Sequence, residues 1–347
     1  MNKALILCLV AALVVFAACE SAPEAPDLAT PYIGGVQGIA MSFPQGMPPA
    51  EIFDDGQGEF SIGILLENVG ESAVGPGTRN PYGHVEIIGI NPRNFGSGFG
   101  QASHNDLFVT FDEAQLTLEP ARRGFDGSII TGESGLIEFP SLSYLPDITG
   151  NQQLTVRANV CYEYRSYTRG QICIKDNLLE RAQDDSICTV SGAKAFSGSG
   201  APVQVTSLTQ NPAGSSRIQV TFTVENLGRG IVFAPMSTVN SPNICQASAG
   251  VNTQRDVVGV QVSLGDEFTT DYLVNCPLLG GQDRGVIRMF QGAPAVVTCT
   301  IDNIDASAGR IFTENLNVDL HYTYLEHIER PLLIRDTNVG FVERSAN

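Results

Sequence analysis

The sequence predicts an all-β protein: two tandem β-sandwich domains behind a signal peptide and a short tether. Three observations carry this. Apolar residues sit at every second position in Phe60, Ile62, Ile64 and Leu66, the spacing of a strand with one buried face. The same spacing returns far along the chain in Ile218, Val220, Phe222 and Val224. Between such runs lie abundant glycine (36) and proline (19), while only 16% of residues are charged.

The N-terminus sets the compartment. Lys3 is followed by an unbroken apolar run from Ala4 to Ala18. A membrane span needs about 20 apolar residues, so this run fits the core of a signal peptide better. It ends in Phe16-Ala17-Ala18-Cys19, which resembles the lipobox of lipoprotein precursors, with Phe16 in place of the usual leucine. The resemblance implies a signal peptide over 1–18 and lipidation at Cys19, hence a cell-surface protein on the outer face of a membrane. A plain signal peptide or an uncleaved anchor is the alternative. Residues 19–31 combine proline with acidic residues and have little to bury, so they form a tether reaching up to roughly 40 Å when extended.

The rest of the chain is long enough for two ordinary cores. It also repeats itself. Ile62, Ile64 and Leu66 match Val220, Phe222 and Val224 at constant spacing, and Glu67-Asn68 and Gly70 recur as Glu225-Asn226 and Gly228. Near the end of each copy Leu154–Tyr162 matches Leu316–Tyr324, and Ile174-Lys175 matches Ile334-Arg335, with a shorter hairpin loop in the second copy. Ser191–Ala201 is a Gly/Ser-rich linker, which places the two domains at 32–192 and 200–347. Several short strands per copy fit a sandwich.

A strand closing in Glu-Asn-Val-Gly or Glu-Asn-Leu-Gly, followed by small residues and another strand, resembles CARDB-type and related immunoglobulin-like domains of prokaryotic surface proteins. The whole chain is loosely similar to tandem-domain lipoproteins of archaea. In the resemblance the Asn-x-Gly closes a turn, where both residues tolerate positive φ. It implies immunoglobulin-like domains engaged in interaction, without a reaction.

Cys161, Cys173, Cys188, Cys245, Cys276 and Cys299 are disulfide candidates in an exported chain. The first pairing expected is Cys161–Cys173 across a hairpin, with Cys276–Cys299 and Cys188–Cys245; Cys173–Cys188 is the rival. The spacing offers no zinc motif. His84, His104, His321 and His327 stand near no nucleophile motif, and Gly132-Glu133-Ser134-Gly135 reads as a turn. Gly96–Gly100 lacks the lysine of a phosphate loop. Asp54, Asp55 and Glu59 cluster carboxylates in a turn, a weak calcium candidate. No cofactor is expected.

One binding face suggests itself. Tyr162, Tyr164 and Tyr167 with Arg165 and Arg169 crowd one hairpin, and Tyr322 and Tyr324 occupy its counterpart. Tyrosine and arginine are favoured interface anchors. The formal charge of −17 argues against nucleic acid as a partner. The expected function is therefore non-catalytic: a lipid-anchored surface protein that engages an envelope protein or glycan. The rival expectations are a self-assembling envelope subunit that adds strands edge to edge, and a hydrolase with a dispersed site.

Overall fold

A computed structural model describes residues 31–56, 58–97, 100–175, 177–179, 187–239, 244–245, 253–265, 272–302 and 311–337. The signal peptide, Cys19 and nearly all of the tether lie outside the described residues.

Period-two alternation becomes strand where it was expected. Phe60–Asn68 buries Ile62, Ile64 and Leu66 completely, and Ile218–Asn226 does the same with Val220, Phe222 and Val224. Each is an interior strand of a five-stranded sheet. The first runs in the order Ile39–Ser42, Phe60–Asn68, Ser134–Tyr144, Phe95–Ser97, Gly100–Gln101. The second runs Gly192–Ala193, Val203–Pro212, Ile218–Asn226, Ala295–Asp302, Leu273–Asn275.

Both pack on one nine-stranded sheet. At its middle lie two very long strands, Gln152–Lys175 and Ile311–Arg335, paired antiparallel without interruption from Gln152↔Ile334 to Lys175↔Ile311. At roughly 3.3 Å per residue each runs for about 80 Å. No hairpin interrupts either strand. Gly170 lies inside the first of them, and a Cβ there would lie 2.3 Å from Leu208. Its lack of a side chain serves close approach between sheets.

The long strands are shared between the copies. The first pairs Arg157–Tyr162 with Gly83–Ile88 of its own copy, yet near its far end Cys173 exchanges two backbone hydrogen bonds with the Gln210 side chain of the second copy (2.8 and 2.7 Å). The second pairs Leu316–His321 with Val257–Leu264, then ends against the first copy, where Glu51–Phe53 runs parallel to Leu333–Arg335. The all-β, sandwich-like architecture is thus present, with 32–347 forming one compact unit. The Gly/Ser segment at 191–201 separates two sequence copies whose main sheet is common.

The cysteines follow the strands. Cys161 and Cys173 stand on one continuous strand, about 40 Å apart at roughly 3.3 Å per residue, so the expected bond between them cannot form. The bonds are Cys161–Cys245, Cys173–Cys188 and Cys276–Cys299. Only the last matches the first expectation, joining neighbouring strands of the second copy. Cys161–Cys245 holds a small second core of Phe233, Ala234, Met236, Ile244 and Val257 against the back of the central sheet.

Candidate binding grooves beside the central strand pair

The tyrosines expected to form a binding face are core. Tyr162, Tyr164, Tyr322 and Tyr324 are fully buried and meet mainly edge to face, with ring centroids 5.7–6.5 Å apart. Burial raises all four hydroxyl pKa values. Each hydroxyl is satisfied from the facing sheet. Tyr164 donates to Asn68 Oδ1 (3.1 Å) and accepts from Ser72 N–H; Tyr324 donates to Asn226 Oδ1 (3.2 Å) and accepts from Gly230 N–H. Tyr162 accepts from Ile39 N–H and Tyr322 from Val203 N–H, both at 3.3 Å.

These matched partners correct the repeat. Tyr162 corresponds to Tyr322 and Tyr164 to Tyr324, in step with Ile174 and Ile334, so no shortened hairpin is needed. Glu163 and Thr323, directly opposite each other, mark a local pseudo-two-fold axis. The Asn-x-Gly motif also changes meaning. Neither Gly70 nor Gly228 has positive φ. A Cβ would lie 2.2 Å from the Tyr164 hydroxyl at Gly70 and 2.1 Å from the Tyr324 hydroxyl at Gly228. Asn68 Nδ2 closes the corner by donating to Ser72 and Leu118 carbonyls, and Asn226 Nδ2 donates to Gly230. The motif is a socket for a tyrosine hydroxyl.

Two open grooves flank the axis, with cavity volumes of about 1140 and 1100 Å³. They occupy corresponding places: Asn317, Asp319, Tyr167 and Gln261 line the first where Arg157, Asn159, His327 and Glu86 line the second. Of the expected binding residues Tyr167, half-buried, and Arg169, exposed, reach a groove. Arg165 lies on the covered back of the sheet, where its Nε has no hydrogen-bond partner among the described residues.

The first groove brings together Tyr32, Tyr167, Tyr272, Arg79, Arg169 and Arg284. Arg169 Nε donates to Asn317 Oδ1 (3.3 Å), and Arg284 lies 3.5 Å from Asp283. A side cleft continues it past Arg79 and Tyr167 to Glu119. The groove therefore offers aromatic faces and guanidinium groups in a chain of net charge −17, with Asp283 and Asp319 tempering the charge.

The second groove is imidazole-rich and carries both charges, with His104 and His327 beside Glu86, Glu326, Arg157 and Arg229. His104 Nδ1 lies 3.8 Å from Glu86, and Arg157 is engaged by Glu329 at 2.5 Å. Burial pushes the Glu326 carboxyl up to about 7, and its Oε2 has no hydrogen-bond partner among the described residues.

The remaining candidates have structural duties. Asp54 is buried, and its carboxylate accepts from Ile148 N–H and from the N–H and hydroxyl of Thr337, which hold its pKa low. That use opposes the weak calcium reading with Asp55 and Glu59. Among the described residues no group of three or more His, Cys, Asp or Glu is placed to hold a metal. Glu163, fully buried, accepts from Ser237 N–H (2.7 Å) beside His321 at 3.5 Å, holding the segment 234–239 to the sheet. His84 is buried against Phe108 and pushed down to about 4 by desolvation.

Sequence reasoning missed Tyr32, Arg79, Tyr272 and Arg284. They come from separate loops and strands, and only the shared central sheet draws them together.

No family model matches the chain, and no curated protein matches it in sequence. A solved serine-rich repeat adhesion glycoprotein from Streptococcus agalactiae aligns over 90% of this chain and 99% of its own, at 8% identity. The TM-score of 0.17 is too low to carry an argument about fold or function.

Proposed function

We propose that the protein is a non-catalytic, lipid-anchored surface protein that binds an anionic envelope glycan or protein in the groove lined by Arg79, Arg169 and Arg284. The carrying observation is that groove itself: three arginines and three tyrosines gathered in a strongly acidic chain. Guanidinium groups take carboxylate, sulfate or phosphate with paired hydrogen bonds, and tyrosine rings give area at low entropic cost. The Phe16-Ala17-Ala18-Cys19 run and the disulfides support an exported, anchored location. The test is retention of the purified protein on acidic and neutral polysaccharides and on envelope fractions. Retention by acidic material, weakened by salt and lost in an Arg79→Ala/Arg284→Ala chain, is the expected result. Equal retention on neutral material, or no effect of the double substitution, would remove the groove from the function.

One observation favours a second reading, acid–base chemistry in the other groove. Glu326, with its carboxyl near neutrality, stands among residues that include two histidines. A panel of chromogenic esters, glycosides and phosphodiesters tests it. Turnover absent from Glu326→Gln would support an enzyme; no turnover by the parent chain leaves binding alone.

A further inference from the structure

One feature stands outside both grooves. Arg122–Arg123 and Ile129–Ile130 form a two-stranded hairpin that joins no other sheet. Its tip, Phe125, is 109% exposed, and Ile129 and Ile130 are 59% and 53% exposed. A free-standing ribbon has no core to cover, so consecutive isoleucines on its opposite faces both meet solvent. The tip is nevertheless built. Gly124 N–H donates to Ser128 O (2.7 Å), Gly127 N–H donates to Gly124 O (2.9 Å), and Gly127 takes φ +83°. Asp126 turns its carboxylate back onto Ser128, accepting from its N–H (3.0 Å) and hydroxyl (2.6 Å). The acid is thereby satisfied by the hairpin while Phe125 is held outward.

Its position gives it a meaning. Arg123 donates to the Tyr32 carbonyl at 3.2 Å, so the base of the hairpin lies where the chain enters the folded body. The twelve-residue stretch from Glu20 to Pro31 connects that entry point to Cys19. Apolar side chains buried in the headgroup–acyl boundary add to the membrane affinity that a covalent lipid supplies. Aromatic and aliphatic side chains beside arginines are the pattern of a surface that dips into an interface, with guanidinium groups at phosphate level.

We propose that the hairpin Arg122–Ile130 inserts Phe125, Ile129 and Ile130 into the bilayer surface and is the second membrane contact of the anchored protein. This rests on the lipid-anchor reading for its geometry, since the tether brings the hairpin to the membrane. Insertion at the entry point keeps the body against the bilayer instead of at the far end of an extended tether. Arg122 and Arg123 face lipid phosphate while the apolar tip replaces water with acyl chain.

The chain contains no tryptophan, so a single introduced indole reports its own surroundings. The full chain carrying Phe125→Trp is reconstituted with phosphatidylcholine–phosphatidylglycerol vesicles whose acyl chains are brominated. Flotation with the vesicles reads the anchor; emission wavelength and bromine quenching read the hairpin. The control is Phe290→Trp, an exposed aromatic (78%) on another loop, and Ile129→Trp repeats the reading if Phe125→Trp does not fold. The expected result is flotation, with a blue-shifted and quenched signal at 125 and 129 but not at 290. Flotation without quenching overturns the inserted hairpin and leaves the anchor standing. Quenching at saturating vesicles without stable flotation supports the hairpin and overturns the anchor; neither signal overturns both. Equal quenching at 290, or a blue shift that needs no vesicles, also overturns insertion, the latter in favour of a protein contact. In the same vesicles Phe125→Ser should weaken attachment about tenfold, the effect expected of one apolar side chain.

Discussion

The two grooves lie at corresponding places on one sheet, yet one gathers three arginines and three tyrosines while the other sets two histidines and two glutamates beside two arginines. The contrast extends to single positions. Glu71, after the first Asn-x-Gly, accepts hydrogen bonds from Ile33, Gly34 and Gly200 and so fixes the entering chain. Arg229, after the second, lines the histidine groove. What the copies keep is the socket: tyrosine hydroxyl, asparagine amide and a glycine with no room for a methyl group. A duplicated scaffold can hold backbone geometry constant through such buried polar locks while its exposed positions diverge.

The comparison can be broken most strongly at the disulfides. Cys161–Cys245 closes 84 residues and Cys173–Cys188 closes 15. In the chain-entropy model these contribute about 4–5 and about 3 kcal/mol. Cys161→Ser/Cys245→Ser should therefore lower stability more than Cys173→Ser/Cys188→Ser in urea titrations. It should also disturb the histidine groove, which Cys245 lines, while leaving ligand retention in the arginine groove intact. Loss of retention would mean the grooves are not independent.

The glycines come next. Gly70→Ala brings a methyl carbon against the Tyr164 hydroxyl and against two carbonyls, of Gly200 (2.6 Å) and Gln37 (2.9 Å). Gly228→Ala meets the Tyr324 hydroxyl and the Pro202 side chain (2.8 Å). Overpacking of this kind costs about 1–3 kcal/mol, and backbone yields less readily than a side chain. Gly70→Ala should be the more damaging of the two in thermal melts. Equal effects would mean that the two sockets are equally compliant.

The smallest expected effect is on pH dependence. Glu326 is raised by burial to about 7 from 4.5, so the folded state holds its proton more tightly than the unfolded chain. Its stabilising contribution is present below about pH 4.5 and is lost as pH rises through about 7. Glu326→Gln should flatten that decline and be relatively more stable at pH 8. His84, pushed down to about 4 from 6.5, acts oppositely: its contribution is present above 6.5 and fades as pH falls through about 4. A parent chain whose stability profile matched that of Glu326→Gln would show that the histidine groove is solvated enough to leave its glutamate ordinary.

Much of this fold was legible before any coordinate. Alternation located both strands and their buried residues, because a period of two leaves one face to bury Ile62, Ile64 and Leu66. The engagement of Cys161, Cys173, Cys188, Cys245, Cys276 and Cys299 in disulfides was legible in their even number. Their pairing was not, because a hairpin was expected between Cys161 and Cys173 where Gln152–Lys175 runs as one strand. The buried tyrosines were misread for a related reason. A strand tyrosine exposes its hydroxyl or hides it according to whether a distant amide can reach it, and Ile39 and Val203 do so from far along the chain. Arg79 and Arg284 had no local signal, since a groove built by a shared sheet exists only after the strands have exchanged.

The long second strand also governs timing. Among the described residues Ile311–Arg335 is the last strand in chain order, and it completes pairing for Glu51–Phe53 near the start as well as for Val257–Leu264. A chain emerging from its N-terminus has no finished central sheet to settle into until that final segment is free. Such late, long-range closure slows folding. Under the exported location proposed above, the delay would be protective: a chain that crosses a membrane unfolded completes its main sheet only after the strand Ile311–Arg335 has followed. A truncation before Ile311 would accordingly leave both copies unfinished, including the one whose own sequence ends far earlier.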